Sequence, residues 1–188
     1  YSDENSIIVW DDNRNDPDTE DIYAQFVDMD GNLVFDISGI AVSIAESRQY
    51  KPRVKADSQG AYVIWSDTRY NSQTPALNDI FIQKLTVEEG LVWDNELPVC
   101  IEQNGDQTQA RLTTDGLGGV FVTWMDDRNE ENFDDIYFQH FDGNGNSTFE
   151  TDGISISSAQ GLQMNPLVRS DGMNGAFIVW GDFRSGSL

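Results

Sequence analysis

Short apolar segments alternate with polar turns along the chain. Residues 61–65, 120–124 and 176–180 are rich in β-branched and aromatic side chains, and each lies between a glycine-containing turn and an aspartate. Such runs are too short for helices and have the composition of buried strands. The turn at 115–119 contains an aspartate and three glycines, which readily adopt the backbone angles of a tight hairpin. The pattern therefore predicts a series of β-hairpins.

One motif, Trp-x-Asp-x-Arg, follows these strands and recurs with a period of 55 to 59 residues. A period in this range indicates stacked supersecondary units. Because the same three residues recur in every unit, we interpret them as structural: the tryptophan fills the space between units, and the arginine pairs with a carboxylate against an aromatic face. The members of the motif are Trp10, Asp12, Arg14, Trp65, Asp67, Arg69, Trp124, Asp126, Arg128, Trp180, Asp182 and Arg184.

Three further strand-like elements recur in each period. Asp-Ile-(Tyr/Phe)-x-Gln begins at 21, 79 and 135, a Gly-Ile-x-Val-Ser type of element begins at 39, 96 and 153, and a Gln-x-x-Pro type begins at 49, 107 and 163. Four short strands per period fit a β-propeller blade better than a solenoid coil or an immunoglobulin-like sandwich. The predicted fold is all-β, a β-propeller of four-stranded antiparallel blades, with about three blades and partial end blades. The predicted segments are 1–48, 49–105, 106–161 and 162–188.

This set of motifs resembles the propeller repeats of large secreted and cell-surface bacterial proteins. The resemblance implies an extracellular location, secreted or on the cell surface, and a ligand-binding or spacer role. Some positions depart from the pattern: Glu96 stands where the other repeats have glycine, and Ala110 stands where they have proline. Because both end segments contribute the same strand, we expect the chain to be part of a longer propeller and to contact its remaining blades. Self-association through open ends is the less favoured alternative.

The charge balance restricts the partners. The 188 residues contain 11 basic and 33 acidic side chains, a formal net charge of −22 at pH 7. Such a field repels polyanions, so we expect no nucleic-acid partner. We also expect no membrane insertion, because no apolar stretch approaches the roughly 18 residues needed to span a bilayer. Cys100 is the one cysteine, and we interpret it as a small half-buried side chain. His140, the one histidine, is interpreted as a strand surface residue.

Acidic residues are concentrated in the loops that follow the first and third Trp-x-Asp-x-Arg motifs. Clustered carboxylates repel one another unless a cation or solvent relieves them, and oxygen ligands suit Ca²⁺. We therefore keep Ca²⁺ as a candidate cofactor, although a solvated acidic surface is the favoured explanation of the composition. The candidate ligands are Asp16, Asp18, Glu20, Asp21, Glu130, Glu131, Asp134 and Asp135.

These observations lead to two functional hypotheses. The first is a non-catalytic extracellular binding, adhesion or scaffolding module with a protein or carbohydrate ligand, for which no catalytic residue is nominated. This hypothesis rests on the recurrence of the motif in every unit, because an active site is expected at one place in the fold. The alternative is a propeller-based carbohydrate-active enzyme, a glycoside hydrolase or lyase, that uses acid/base carboxylates. Two facing carboxylates, one of them shielded from water, would favour the alternative.

Overall fold

The computed structural model describes residues 5–70, 77–129 and 133–184, and these residues form antiparallel strands without a helix. The prediction of an all-β fold is confirmed. No described segment is a helix of the length and apolar character that crossing a membrane requires. The strands are β1 (Asn5–Asp16), β2 (Thr19–Asp28), β3 (Ile40–Ser43), β4 (Gln49–Asp57), β5 (Gly60–Asp67), β6 (Asp79–Thr86), β7 (Gly90–Leu91), β8 (Leu97–Cys100), β9 (Gln107–Thr114), β10 (Val120–Asp126), β11 (Asp135–Phe141), β12 (Ile154–Ser157), β13 (Gln163–Ser170) and β14 (Ala176–Asp182).

The described strands form four separate sheets in chain order. The first sheet has the order β1-β2-β3, and the second has the order β4-β5-β6-β7 with β8 also paired to β6. The third has the order β9-β10-β11-β12, and the fourth consists of β13 and β14. Neighbouring strands are antiparallel throughout, as short hairpin connections require. Among the described residues the four sheets do not merge into one closed barrel.

Consecutive sheets pack face to face through their first strands. Strand β4 lies against β1 and β2, β9 lies against β4, β5 and β6, and β13 lies against β9, β10 and β11. We call β4, β9 and β13 the inner strands. The apolar core lies between sheets: Trp65 packs with Phe26 of the first sheet, and Trp124 packs with Tyr62 and Ile82 of the second. Burial of these faces is the main force that holds the sheets together.

Each inner strand contains the same backbone irregularity near its start. Lys51, Gln109 and Asn165 have φ of 54°, 51° and 57°, and the pairing with the next strand shifts register close to each of them. Such a bulge changes the direction in which the following side chains project. The same bulge therefore occurs in all three inner strands, although their side chains at this point differ.

Candidate active site

The recurring Trp-x-Asp-x-Arg motif forms a closed hydrogen-bonded unit. In the third sheet, Trp124 Nε1 donates to Asp126 Oδ2 at 3.0 Å, and the backbone N–H of Arg128 donates to Asp126 Oδ1 at 3.0 Å. The Arg128 guanidinium pairs with the same carboxylate at 2.5 Å and lies 4.0 Å above the centre of the Tyr137 ring. Asp126 is fully buried. The Asp126 carboxylate is thus held by its own tryptophan and arginine, and a terminal nitrogen of Arg128 also donates to the carbonyl of Asp152 at 3.1 Å.

The other copies repeat this arrangement with different exposure. Asp67 is fully buried under Arg69, whereas the pairs in the first and fourth sheets are more exposed. The side-chain hydrogen bond from Arg14 lowers the pKa of Asp12 to about 2, and the one from Arg184 lowers the pKa of Asp182 to about 2. The aspartate–arginine pair is present in all four sheets, and the arginine lies over an aromatic ring in the first three, so a structural role accounts for the repetition.

The repeated glutamines also have internal partners. Gln49, Gln107 and Gln163 are fully buried at the start of the inner strands. Each donates its Nε2 to two backbone carbonyls of the loop before it, as Gln107 does to Glu102 at 3.1 Å and Gly105 at 2.7 Å. Buried amides that satisfy loop carbonyls fix the loop against its sheet. These residues are structural as well.

The aspartate that begins each Asp-Ile-(Tyr/Phe)-x-Gln element has a different environment in the second sheet. Asp21 accepts a hydrogen bond from Asn15 at 2.6 Å, and Asp135 accepts one from Asn129 at 3.0 Å. In the second sheet the asparagine position, directly after the motif arginine, is Tyr70. Asp79 is buried, and its Oδ2 has no hydrogen-bond partner among the described residues. Burial and the charges of Asp67, Asp152 and Asp106 raise the pKa of Asp79 to about 7.

Three positions that vary between units have all become aspartate in the third sheet. In the second sheet these positions are Arg48 before β4, Thr68 after β5 and Asn78 before β6. All three lie at the same end of their sheet, because an antiparallel strand ends where its neighbours begin. We call the third-sheet residues the carboxyl cluster; they are Asp106, Asp127 and Asp134.

Hydrogen bonds place two members of the carboxyl cluster, Asp106 and Asp127, at the junction of the second and third sheets, whereas the carbonyl of Asp134 accepts from the backbone N–H of Gln163 in the fourth sheet at 3.0 Å. The backbone N–H of Asp106 donates to Asp127 Oδ1 at 2.5 Å. Asp106 Oδ1 accepts from both the backbone N–H and the Nδ2 of Asn78, each at 2.7 Å. Tyr50 in turn donates its hydroxyl to Asn78 Oδ1 at 2.6 Å. The second sheet thus supplies two donors that fix the Asp106 carboxylate.

Asp134 has the opposite environment within the same cluster. Burial raises its pKa to about 6, and the negative charges of Asp127 and Asp106 add to the effect. Glu20 occupies the position of Asp134 in the first sheet. It pairs with Arg48 of the second sheet at 2.5 Å, and hydrogen bonding to that arginine lowers the pKa of Glu20. Position 162, which corresponds to Arg48, is leucine in the fourth sheet. Asp134 therefore faces an apolar side chain position where Glu20 has a cation.

Among the described residues, the predicted calcium ligands do not converge on one point. Glu20 pairs with Arg48, Asp21 and Asp135 accept hydrogen bonds from asparagines, and Asp16 caps the backbone N–H of Asp18 at 3.0 Å. Within the described ranges no group of three or more His, Cys, Asp or Glu side chains is arranged to hold a metal ion. The predicted ligands Glu130 and Glu131 lie outside the described residues. Calcium binding stays a prediction.

His140 and Cys100 have more partners than the sequence indicated. His140 Nε2 lies 2.9 Å from Asp115 Oδ2, its Nδ1 lies 2.8 Å from the Thr148 hydroxyl, and its ring packs on Phe121. Burial alone would raise the pKa of Asp115, but the hydrogen bonds from His140 and from two turn amides outweigh it, so the pKa is lowered. This contact fixes the β9–β10 turn to β11. Cys100 is fully buried, and burial raises the pKa of its thiol, which disfavours the reactive thiolate.

Comparison with known proteins gives one informative result. No protein-family model matches the sequence, and no curated protein matches it. Among solved structures, the fold is similar to the crystal structure of endo-arabinase from Bacteroides thetaiotaomicron VPI-5482, with a TM-score of 0.50 and 9% sequence identity. The similarity covers 96% of this chain and 67% of that chain. The neighbour is an enzyme with a related arrangement of strands.

The prediction of a non-catalytic binding, adhesion or scaffolding module, and with it the prediction that the chain is not an enzyme, is contradicted by this match. The error has a physical origin: the repeated residues are structural, and they dominate the pattern of the sequence. The carboxyl cluster lies at positions between the repeated motifs, where Asp106 and Asp127 were not nominated. An alignment of the repeats shows that the three variable positions are all aspartate in the third unit, and this is the pattern that could have identified the carboxyl cluster.

Proposed function

We propose that the protein is a propeller-type carbohydrate-active enzyme that cleaves glycosidic bonds, with Asp134 as general acid and Asp106 as general base. The observation that carries the proposal is the different environment of two carboxyl groups at the same end of the third sheet, one of which acts electrostatically on the other. The pKa of Asp134 is raised to about 6, so this group keeps a proton in mildly acidic solution, while Asp106 accepts two hydrogen bonds from Asn78. Two carboxyl groups in different environments, one of which keeps its proton, are the usual equipment for this chemistry.

The proposed step is hydrolysis. The Asp134 carboxylic acid donates its proton to the glycosidic oxygen while the bond from that oxygen to the anomeric carbon breaks. A water molecule attacks the anomeric carbon, and the Asp106 carboxylate accepts the proton that this water loses. The two N–H groups of Asn78 hold the Asp106 carboxylate in position, and Tyr50 holds the Asn78 side chain. The second sheet thus positions the base, and the third sheet supplies the acid.

The propeller arrangement belongs to the same proposal. In it each sheet is one blade, and β4, β9 and β13 line the axis. The consecutive packing of these strands and the similarity to the endo-arabinase support this arrangement. The carboxyl cluster would then lie at one end of the inner strands, where propellers commonly carry their sites. A secreted or cell-surface location, which the repeat resemblance implies, agrees with an extended carbohydrate as substrate.

Activity of the full chain tests the proposal. We expect release of new reducing ends from linear arabinan or from polygalacturonate, and a rate that falls as the pH rises above about 6 and Asp134 loses its proton. Replacing an acid/base residue should lower kcat by about 100-fold or more. Asp134→Asn and Asp106→Asn should both show this loss, whereas the control Asp30→Asn, in an exposed turn, should not.

Three outcomes would overturn the proposal. The first is a folded protein that releases no reducing ends from either polysaccharide. The second is an Asp134→Asn variant with the parent's kcat and pH profile. The third is a product that absorbs ultraviolet light through a new carbon–carbon double bond, since this would assign cleavage to elimination and not to hydrolysis.

A further inference from the structure

The basic residues are distributed unevenly. Four of the 11 are the motif arginines, each paired with its own aspartate; Arg48 pairs with Glu20, and Lys84 is buried against backbone carbonyls. The remaining five have no carboxylate within ion-pair distance in the described part of the chain. All of them lie on the inner strands; they are Lys51, Arg53, Lys55, Arg111 and Arg169.

Three of these cations meet in one cleft. A cleft of about 240 Å³ lies between β4 and β9, and Lys51, Arg53 and Arg111 line it together with uncharged side chains. No aspartate or glutamate is among the lining residues of this cleft. In a chain with a net charge of −22, a cleft with three cations and no anion is a local reversal of the field.

The arginines in the cleft are unpaired and close together. One terminal nitrogen of Arg111 donates to the carbonyls of Gln109 and Ala110 at 3.1 and 3.0 Å, which fixes the guanidinium on its own strand. The rest of its fork has no protein partner among the described residues. Burial lowers the pKa of Arg111, and the positive charge of Arg53 lowers it further. Two guanidinium groups that repel each other without a counter-charge favour a bound anion.

The cleft adjoins the carboxyl cluster. Asn78 lines the cleft and also donates both of its hydrogen bonds to Asp106. A ligand group held by Arg53 and Arg111 therefore lies next to the residues proposed to act on a glycosidic bond. The cations on one side and the carboxyl cluster on the other favour a ligand that places an acidic group in the cleft and a glycosidic bond beside the carboxyl cluster.

We propose that this cleft binds the carboxylate of a uronate unit, so that the substrate class is an acidic polysaccharide. The inference rests on the proposed function for the sugar, and on the cleft itself for the charge. The planar fork of an arginine matches the two oxygens of a carboxylate, and two arginines side by side select the acidic sugar over its neutral counterpart. Recognition of the acidic group takes place on β4 and β9, while cleavage takes place at the end of β9 and β11.

Binding without turnover tests this proposal. The probe is a trimer of galacturonate, titrated calorimetrically into the full chain carrying Asp134→Asn. We expect saturable binding that weakens about ten-fold on adding either Arg53→Gln or Arg111→Gln, since each removes a charged hydrogen-bonding partner. The matched control is Arg169→Gln, which makes the same charge change on β13 outside the cleft and should alter the affinity less than about two-fold. Circular dichroism of each variant confirms that the sheets are intact.

Titrations with other trimers test whether the cleft recognises a carboxylate, a different anionic group or the neutral sugar. A neutral arabinose trimer should bind at least ten-fold more weakly than the galacturonate trimer, and added salt should weaken only the latter. The third probe is a sulfated arabinose trimer. Tighter binding of this trimer than of the galacturonate trimer, or equal affinity for all three trimers, would overturn the uronate assignment. So would an unchanged affinity in both arginine variants. Tight, arginine-dependent galacturonate binding by a protein that cleaves nothing would support this inference and refute the proposed function alone.

Discussion

Arginines in two regions of the molecule have opposite environments. Arg69 and Arg128, at the ends of β5 and β10, each pair with a fully buried aspartate and lie over an aromatic ring at about 4 Å. Arg53 and Arg111, on the inner strands β4 and β9, have no carboxylate partner in the described residues and face a cleft. The motif arginine recurs in all four sheets, whereas the cleft arginine occurs at its repeat position in the second and third sheets only, and Leu167 stands there in the fourth.

This difference distinguishes structural charge from charge available to a ligand. A buried arginine is stable only when its charge is paired inside the protein, and the motif aspartate provides that pair. An arginine without an internal carboxylate partner keeps its charge and its remaining N–H groups available to a ligand. Repetition of a residue therefore indicates a role in the fold, and departure from repetition indicates where function is to be sought.

The carboxyl groups show the same division. Asp126 is buried but neutralised by Arg128, whereas burial, reinforced by nearby like charges, raises the pKa of Asp134 to about 6 and that of Asp79 to about 7. Each group lacks a polar partner that an equivalent carboxyl has elsewhere: Tyr70 stands where asparagine holds Asp21 and Asp135, and Leu162 stands at the variable position where Arg48 pairs with Glu20. The absence of that partner accompanies each unusual carboxyl.

The largest expected effect comes from breaking a motif pair. Arg128→Gln leaves the Asp126 carboxylate buried without its cation, and we expect a loss of about 3–5 kcal/mol in the free energy of unfolding. Arg111→Gln removes an arginine with no internal ion pair, and we expect a change within about 0.5 kcal/mol. Urea unfolding of both variants measures the difference. Equal losses would show that the two arginines are not distinguished by their partners.

A second experiment concerns Asp79 and the pH. The ordinary aspartate pKa of 3.8 applies in the unfolded chain, while the folded value is about 7. Between these values the unfolded chain releases the proton that the folded chain keeps, so this group's contribution to stability is lost as the pH rises from about 4 to about 7. Asp79→Asn cannot ionise. We expect it to match the parent near pH 4 and to melt at a higher temperature near pH 8.

Melting curves from pH 4 to pH 8 measure this effect. The control is Asp30→Asn in an exposed turn, which should follow the parent at every pH. A variant Asp79→Asn that is less stable than the parent at pH 8 would mean that Asp79 is ionised in the folded protein and is stabilised by a partner.

The smallest expected effect concerns calcium at the acidic loops. If the loop at 16–21 binds Ca²⁺ with the millimolar to submillimolar affinity of weak oxygen sites, millimolar Ca²⁺ stabilises the folded protein by about 0.4–1.4 kcal/mol. We expect a correspondingly small rise in the melting temperature when Ca²⁺ is added after EDTA treatment. The variant Asp16→Asn should reduce the rise. Equal melting curves with Mg²⁺, Ca²⁺ and EDTA would leave a solvated acidic surface.

Much of the fold could be predicted from local sequence. The five-residue apolar runs lie in β5, β10 and β14, and the Asp-Ile-(Tyr/Phe)-x-Gln elements lie in β2, β6 and β11. Strand formation in these segments depends on side chains within a few residues of each other, so a linear pattern contains the necessary information. The candidate site could not be predicted in the same way, because its members are separated by strands and loops.

The sequence by itself determined the strands, their turns and the recurring motif, because hydrogen bonds such as that from Trp124 to Asp126 join residues two positions apart. Only the tertiary structure decided that Asn78 fixes Asp106, that Asp115 meets His140, and that Arg53 and Arg111 share a cleft. These contacts depend on how separate strands and sheets pack. The raised pKa of Asp134 depends in addition on burial, which is a property of the packed sheets and not of any local segment.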